Sequence, residues 1–308
     1  MSNRRNSGTV VHDGEITEWR FDGFVEHDGS ILAYGPFRSG KTLSEVVRMA
    51  PDEALPLLSR LASAYASLQE AAASIQRPHT HGIVFLDDGA ILFIPPDILS
   101  SIKEHQGMSA QIEQFERYNF PDLKDEANLS FAMAVLGYRS LTGEHPYDGH
   151  DDEAIHNRMR AGAYMPSAYR RPELKAEVAR ALDATLSDPG ANAVAMAEWA
   201  RRFSDWSGGF TRDLSEAERT RIEEKTAAEV RRREKTFQRK EFGRKHGRRV
   251  VVIALIAIIV GSIPGTIIYN ALQPRVTAGF APAEVISTFY QSVADLDHMT
   301  MEDCVIED

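Results

Sequence analysis

A run of 23 residues, 250–272, is apolar at nearly every position, and no charged residue stands between Arg249 and Arg275. As an α-helix it would reach about 34 Å, enough for a hydrocarbon core of about 30 Å. Helices buried in soluble domains rarely run so far without a polar face. The stretch therefore predicts a transmembrane helix, kinked at Pro264 and Gly265 as such helices tolerate, and too far into the chain for a signal peptide. Its flanks give it a direction. Residues 231–249 hold ten Lys/Arg, the first Arg231 and the last Arg249, against Glu234 and Glu241, whereas only Arg275 is basic after the span. The positive-inside rule then predicts a single-pass protein of the cytoplasmic (inner) membrane with its N-terminus in the cytoplasm and its C-terminus outside. The basic flank is expected to lie against anionic lipid head groups.

The formal charge of −10 conceals this division. The basic flank is net +8, which leaves −18 on everything else. That acidity excludes nucleic acid as the expected partner. A lone cysteine, Cys304, falls on the outer side, where a thiol is expected to pair, either between chains or with a partner beyond the C-terminus. No zinc or iron–sulfur spacing is present. The remaining chain, about 210 residues, suits one domain.

Residues 1–14 are expected to be disordered. Strand-like runs at 16–25 and 30–34, parted by His27, Asp28 and Gly29, predict a hairpin. A short helix follows at 42–49. The next helix opens on Pro51, Asp52 and Glu53, and Leu55, Leu58, Leu61, Ala62, Tyr65 and Leu68 recur along it at helical spacing. A second hairpin spans 83–94, turning at Asp87, Asp88 and Gly89 and stopped by Pro95 and Pro96. The segment 129–141 is apolar on almost every side and predicts a helix buried at the domain centre. Amphipathic helices are expected at 151–160, 174–186 and 193–206, and a long charged helix at 207–249 leading into the membrane.

This order of elements resembles the C-terminal lobe of eukaryotic-type protein kinases, as found in bacterial membrane-anchored members. Residues 31–44 resemble the last strand of the N-terminal lobe, the hinge and the following helix. Residues 79–96 resemble the catalytic loop and metal-binding hairpin. The run YRSLTGEHPYDG at 138–149 resembles the end of the central buried helix, and LSDP at 186–189 the end of the penultimate helix. The resemblance covers about residues 15–206. It implies an α+β, mostly helical fold: a kinase-like C-terminal lobe with a reduced N-terminal lobe of short hairpins, then a charged juxtamembrane helix and one transmembrane helix.

The departures from that family decide the expected function. The family places an Asp in the catalytic loop to orient the substrate hydroxyl, and an Asn and a second Asp to hold two Mg²⁺. Here the loop reads His79-Thr80-His81-Gly82-Ile83, with no acid after either histidine. Pro95-Pro96-Asp97 stands in place of the metal-binding Asp-Phe-Gly, and Asn192 replaces the Arg that would pair with Asp122. Too little chain precedes the first strands for a Gly-rich loop and a phosphate-anchoring Lys. The resemblance therefore implies a pseudokinase-like signalling or scaffold protein that is not an enzyme, has no catalytic residue, metal or cofactor, and binds a cytoplasmic protein partner.

A different class competes. Residues 35–42, GPFRSGKT, fit G-x-x-x-x-G-K-[ST], with a strand before them and a helix after. Gly35 and Gly40 would bare the backbone to phosphate, Lys41 would reach its oxygens, Thr42 would hold Mg²⁺, and Asp87 would serve as the metal-side acid. The alternative is thus a membrane-tethered P-loop NTPase using ATP and Mg²⁺. A short helix stopped by Pro51 and the lack of further β-α alternation count against it. His145, His150, Asp151, Asp152 and His156 crowd twelve residues, without the paired spacing of a metal site. The tail 273–308 reads as a helix at 284–296 and a turn, loosely similar to the opening helix of NTF2-like domains and expected to be truncated.

Overall fold

A computed structural model describes residues 7–36, 38–73, 75–95, 97–100, 107–149, 151–222, 225, 226, 228, 232, 235 and 277–305. The chain divides into two compact units, residues 1–241 and 242–308.

Of residues 1–14, expected to be disordered, 7–14 are described and form strand and turn. Ser7–His12 (β1) and Glu15–Arg20 (β2) form a hairpin whose turn residues Asp13 and Gly14 both have positive φ, the conformation a two-residue hairpin loop demands. The continuous strand expected at 16–25 is broken after Arg20. Gly23–His27 (β3) pairs instead with Ser30–Tyr34 (β4) in a separate two-stranded sheet. Gly40–Thr42 (β5), Ile83–Leu86 (β6) and Ile91–Phe93 (β7) complete a five-stranded antiparallel sheet in the order β2-β1-β7-β6-β5.

Side chains alternate across this sheet as strand geometry requires. Val11, Ile83, Phe85, Ile91 and Phe93 join the main core, and Val10, Trp19, Leu86, Ala90 and Leu92 form a second cluster. The first face lies against Pro51–Glu70 (α2), which follows the short helix Leu43–Val46 (α1). Arg60 of α2 donates to the Gly89 carbonyl and so ties the β6–β7 turn to the helix.

After Met108–Gln114 (α3), Asp125–Thr142 (α4) runs through the middle, with every residue from Asn128 to Tyr138 buried, as its unbroken apolar sequence predicts. Asp152–Ala161 (α5), Ser167–Arg170 (α6), Ala176–Ser187 (α7) and Met196–Ser207 (α8) surround it. The amphipathic helices expected at 151–160, 174–186 and 193–206 are α5, α7 and α8. Trp199, Phe203 and Trp206 recur on one face of α8 and pack ring to ring, with centroids 5.4–6.3 Å apart. Gly137 lets α4 approach its neighbours: a Cβ there would sit 2.9 Å from Phe203 and 3.1 Å from Leu182.

The α+β, mostly helical class matches the sequence reading, but its membrane part requires correction. Among the described residues no helix is long and apolar enough to cross a membrane. The two longest are spoken for by the domain: α2 carries Asp52, Glu53, Arg60 and Glu70, and α4 is enclosed by protein. The apolar stretch 250–272 lies outside the described residues, as does the basic run 231–249 apart from Arg232 and Lys235. The transmembrane helix, the single-pass description and the inner-membrane location expected from sequence are accordingly withdrawn.

In the second unit, Pro282–Asp295 (α9) and His298–Asp303 (α10) are joined by Leu296 in left-handed conformation. The helix expected at 284–296 is α9. Cys304 is a free, partly exposed thiol.

Candidate functional site

The segment likened to a catalytic loop joins α2 to β6, and its backbone is turned into the protein. Asn119 Nδ2 donates to the Pro78 carbonyl at 3.1 Å and to the Phe115 carbonyl at 2.8 Å. The Ser44 amide donates to the Thr80 carbonyl at 2.9 Å, and the Gly82 amide closes a turn on the His79 carbonyl at 2.9 Å. His79 is buried, and its Nδ1 accepts from the His81 amide at 3.2 Å. Gly82 packs closely: a Cβ there would press on the Leu99 methyl groups, which would have to turn aside. Ile83 is fully buried in the core.

His81 is the exposed group of the segment. Partial burial and then Arg48 lower its proton affinity, against a smaller opposing pull from Glu45. Glu45 is itself committed. Its carboxylate accepts from the Thr42 amide and the Thr42 hydroxyl, both at 2.7 Å, and this lowers its pKa.

The residues of the nucleotide-binding alternative occupy a different geometry from a loop that cradles phosphate. Gly35 follows β4, and the chain passes Arg20 and Phe21 so closely there that a Cβ would stand only 3.3 Å from their backbone. Phe37 lies outside the described residues. Gly40, Lys41 and Thr42 are strand residues opposite Leu86, Phe85 and Val84. Gly40 is glycine because a side chain would collide with the Phe85 carbonyl. Thr42 forms a reciprocal capping box with Glu45 at the start of a four-residue helix. The register also parts the would-be metal ligands. The Asp87 amide bonds the Ser39 carbonyl at 3.1 Å, three residues from Thr42, or about 10 Å of strand. Asp88 pairs with Arg38 at 3.3 Å and accepts from the Ala90 amide at 3.0 Å.

The histidine- and acid-rich segment is similarly dispersed. Asp151 caps α5 by accepting from the Ala154 amide at 2.6 Å, His156 lies 3.3 Å from Glu116, and His150 lies outside the described residues. Among the described residues no group of three metal-capable side chains converges.

Two groups behave otherwise than the sequence reading expects. Asp122 does have a partner: Arg160 on α5 donates to both of its oxygens, at 2.6 and 3.0 Å. Asn192 instead caps its own turn, donating to the Ala184 carbonyl at 3.1 Å. His145 is buried beside Arg117 and Arg139, and neither ring nitrogen makes a hydrogen bond among the described residues. Glu113 approaches Nε2 to 3.4 Å, but out of line for a hydrogen bond. Burial, then Arg139 and Arg117, push its pKa from 6.5 down to about 2. The unfolded chain therefore takes up this proton first. The stability tied to the neutral ring is complete above pH 6.5 and falls as the pH drops below it, by about 1.4 kcal/mol per unit. Urea midpoints of the wild type are expected to drop by the equivalent of about 2 kcal/mol between pH 7 and pH 5, and those of His145→Gln by distinctly less. Parallel losses in the two proteins would show that other groups govern the acid limb.

No protein-family model matches the chain, and no curated protein matches it. Among solved structures, the chain is similar to Rad53 residues 1–466 in complex with AMP-PNP, at 18% identity and a TM-score of 0.41, over 65% of this chain and 50% of that one. The chain thus spans about half the length of the solved chain it matches.

Proposed function

We propose that residues 7–206 form a kinase-like domain that acts by binding a partner protein and does not transfer phosphate. Support comes from the order of elements: a long helix, an inward-turned loop, the β6–β7 hairpin, a largely buried central helix and the four outer helices α5–α8, the order to which the sequence motifs at 79–96, 138–149 and 186–189 correspond. The observation that carries the inert part is the loop itself. Its carbonyls are bonded into the domain and Gly82-Ile83 leads straight into the core. Phosphoryl transfer depends on holding cations against the transferred group, and this loop offers that chemistry no acid. Support for binding is the β3–β4 sheet, where Val25 and Leu32 face each other across the strands and, with Tyr34, stay about half exposed (47–53%). Contiguous apolar side chains left open to water are a feature of interaction surfaces.

The test uses the full chain with Mg-ATP. Neither phosphate incorporation nor a rise in melting temperature beyond about 1 °C is expected, and Lys41→Ala should behave as the wild type does. Autophosphorylation would overturn the reading in favour of a kinase. A Mg-dependent stabilisation abolished by Lys41→Ala would instead favour the phosphate-loop alternative.

A further inference from the structure

The β1–β2 hairpin does not close fully onto the end of α2. A cleft of about 730 Å³ opens between the helix-facing side of the hairpin and the chain that leaves α2, a size ordinary for small-molecule sites. Its floor is apolar: Phe93 and Leu68 are buried there, and Ile16 and Ile75 are partly covered. Its polar groups gather along the walls, with the Thr9 side on the sheet and Gln76 and Arg77 across from it.

The walls are held independently of any ligand. Thr9 is in register with Phe93, and the bare Gly8 lets β1 pass close to the Phe93 carbonyl. On the other side, the Tyr65 hydroxyl donates to the Gln76 carbonyl at 3.1 Å, and the Tyr65 ring packs against Phe93 at 5.2 Å. Both sides therefore hang on Phe93, and the cleft is preformed rather than assembled on binding.

Its charge selects among ligands. Glu18 lines the same cleft, but its carboxylate accepts from Arg20 at 2.7 Å. Arg77 makes no hydrogen bond or ion pair among the described residues, so its guanidinium is the charge still to be matched, and its fork suits a carboxylate. A phosphate dianion would meet one cation and a nearby carboxylate and remain poorly neutralised. We propose that this cleft binds a small organic acid, with an aromatic or branched aliphatic body on the Phe93–Leu68–Ile75 floor and a single carboxylate on Arg77. The site adjoins the loop, since Gln76 reaches to within 3.3 Å of where a Gly82 Cβ would stand, but it is lined by other residues and stands whether or not the loop and the sheet face act as proposed.

Naphthalene-2-carboxylate and its uncharged amide, titrated into the full chain and followed by probe fluorescence, test it. The acid should bind saturably. Arg77→Ala should weaken it about tenfold, Arg77→Lys about threefold or less, and neither should change the weaker binding of the amide. Thr9→Trp, which fills the cleft, should abolish both. If Thr9→Trp fails to fold, the arginine variants alone decide. Absence of saturable binding by the acid overturns the proposal, and so does equal binding by the wild type and Arg77→Ala.

Discussion

Trp199→Ala should remove about 3–5 kcal/mol of folding stability, the range for emptying a large aromatic from a packed core. Trp199 is fully buried and stacks on Phe203 at 5.4 Å. It also does what an aliphatic residue cannot: Nε1 donates to Ser130 Oγ of α4 at 3.0 Å, and the same oxygen accepts from the Val194 amide at 2.8 Å. One serine thus fastens α8 and the turn before it to the central helix. Domains commonly have about 5–15 kcal/mol in all, so this variant should lose about a fifth of its margin or more. Urea unfolding followed by circular dichroism measures it. Trp199→Phe, which keeps most of the packing and loses the donor, should fall about midway. A loss under about 1 kcal/mol for Trp199→Ala would mean that α8 does not seat as described.

Gly40→Val should be nearly as damaging, for a reason opposite to a cavity. Any Cβ at this position falls within the radius of the Phe85 carbonyl oxygen and 2.9 Å from the Leu86 Cα. Both neighbours are backbone, so no rotamer change relieves the clash, and β5 must separate from β6. A loss of about 3 kcal/mol is expected, with or without nucleotide. Lys41→Ala, one residue along on an exposed side chain, should leave stability within about 0.5 kcal/mol. If Gly40 served a phosphate cradle instead, Gly40→Val would spare the fold and damage only nucleotide binding. The two substitutions together therefore separate a strand from a loop.

The helices were legible because their burial is periodic. Leu55, Leu58, Leu61, Ala62, Tyr65 and Leu68 mark α2 before any coordinates, and all six are buried in it. The apolar run inside α4 likewise declares a helix with no solvent face. Short strands were not legible. In β1, Ser7 and Gly8 look like a loose terminus, and only pairing with Arg20 and Trp19 of β2 gives them a place. Asp22-Gly23 marks a break between Arg20 and β3, but does not tell that the chain passes there from one sheet to another. In β5 a three-residue strand coincides with Gly-Lys-Thr, which read as a loop because strand pairing is a property of the partner, β6, as much as of the residues themselves. At the candidate site, the lack of an acid in 79–83 was visible in the letters, while the turning of its carbonyls toward Asn119 and Ser44 was not. The Asp122–Arg160 pair was missed because a motif directs attention to position 192, and α5 brings its arginine from elsewhere in the chain.

The place of β1 inside the large sheet bears on how such a chain comes off the ribosome. Its inner edge waits for β7: Thr9 is matched to Phe93, 84 residues further along. Until that length has been synthesised, the β1–β2 hairpin is an open template that any other extended segment could join. Closure over so long a sequence separation belongs to the slow regime of high contact order. Newly made chains should therefore need shielding at β1 and β2 until β6 and β7 emerge.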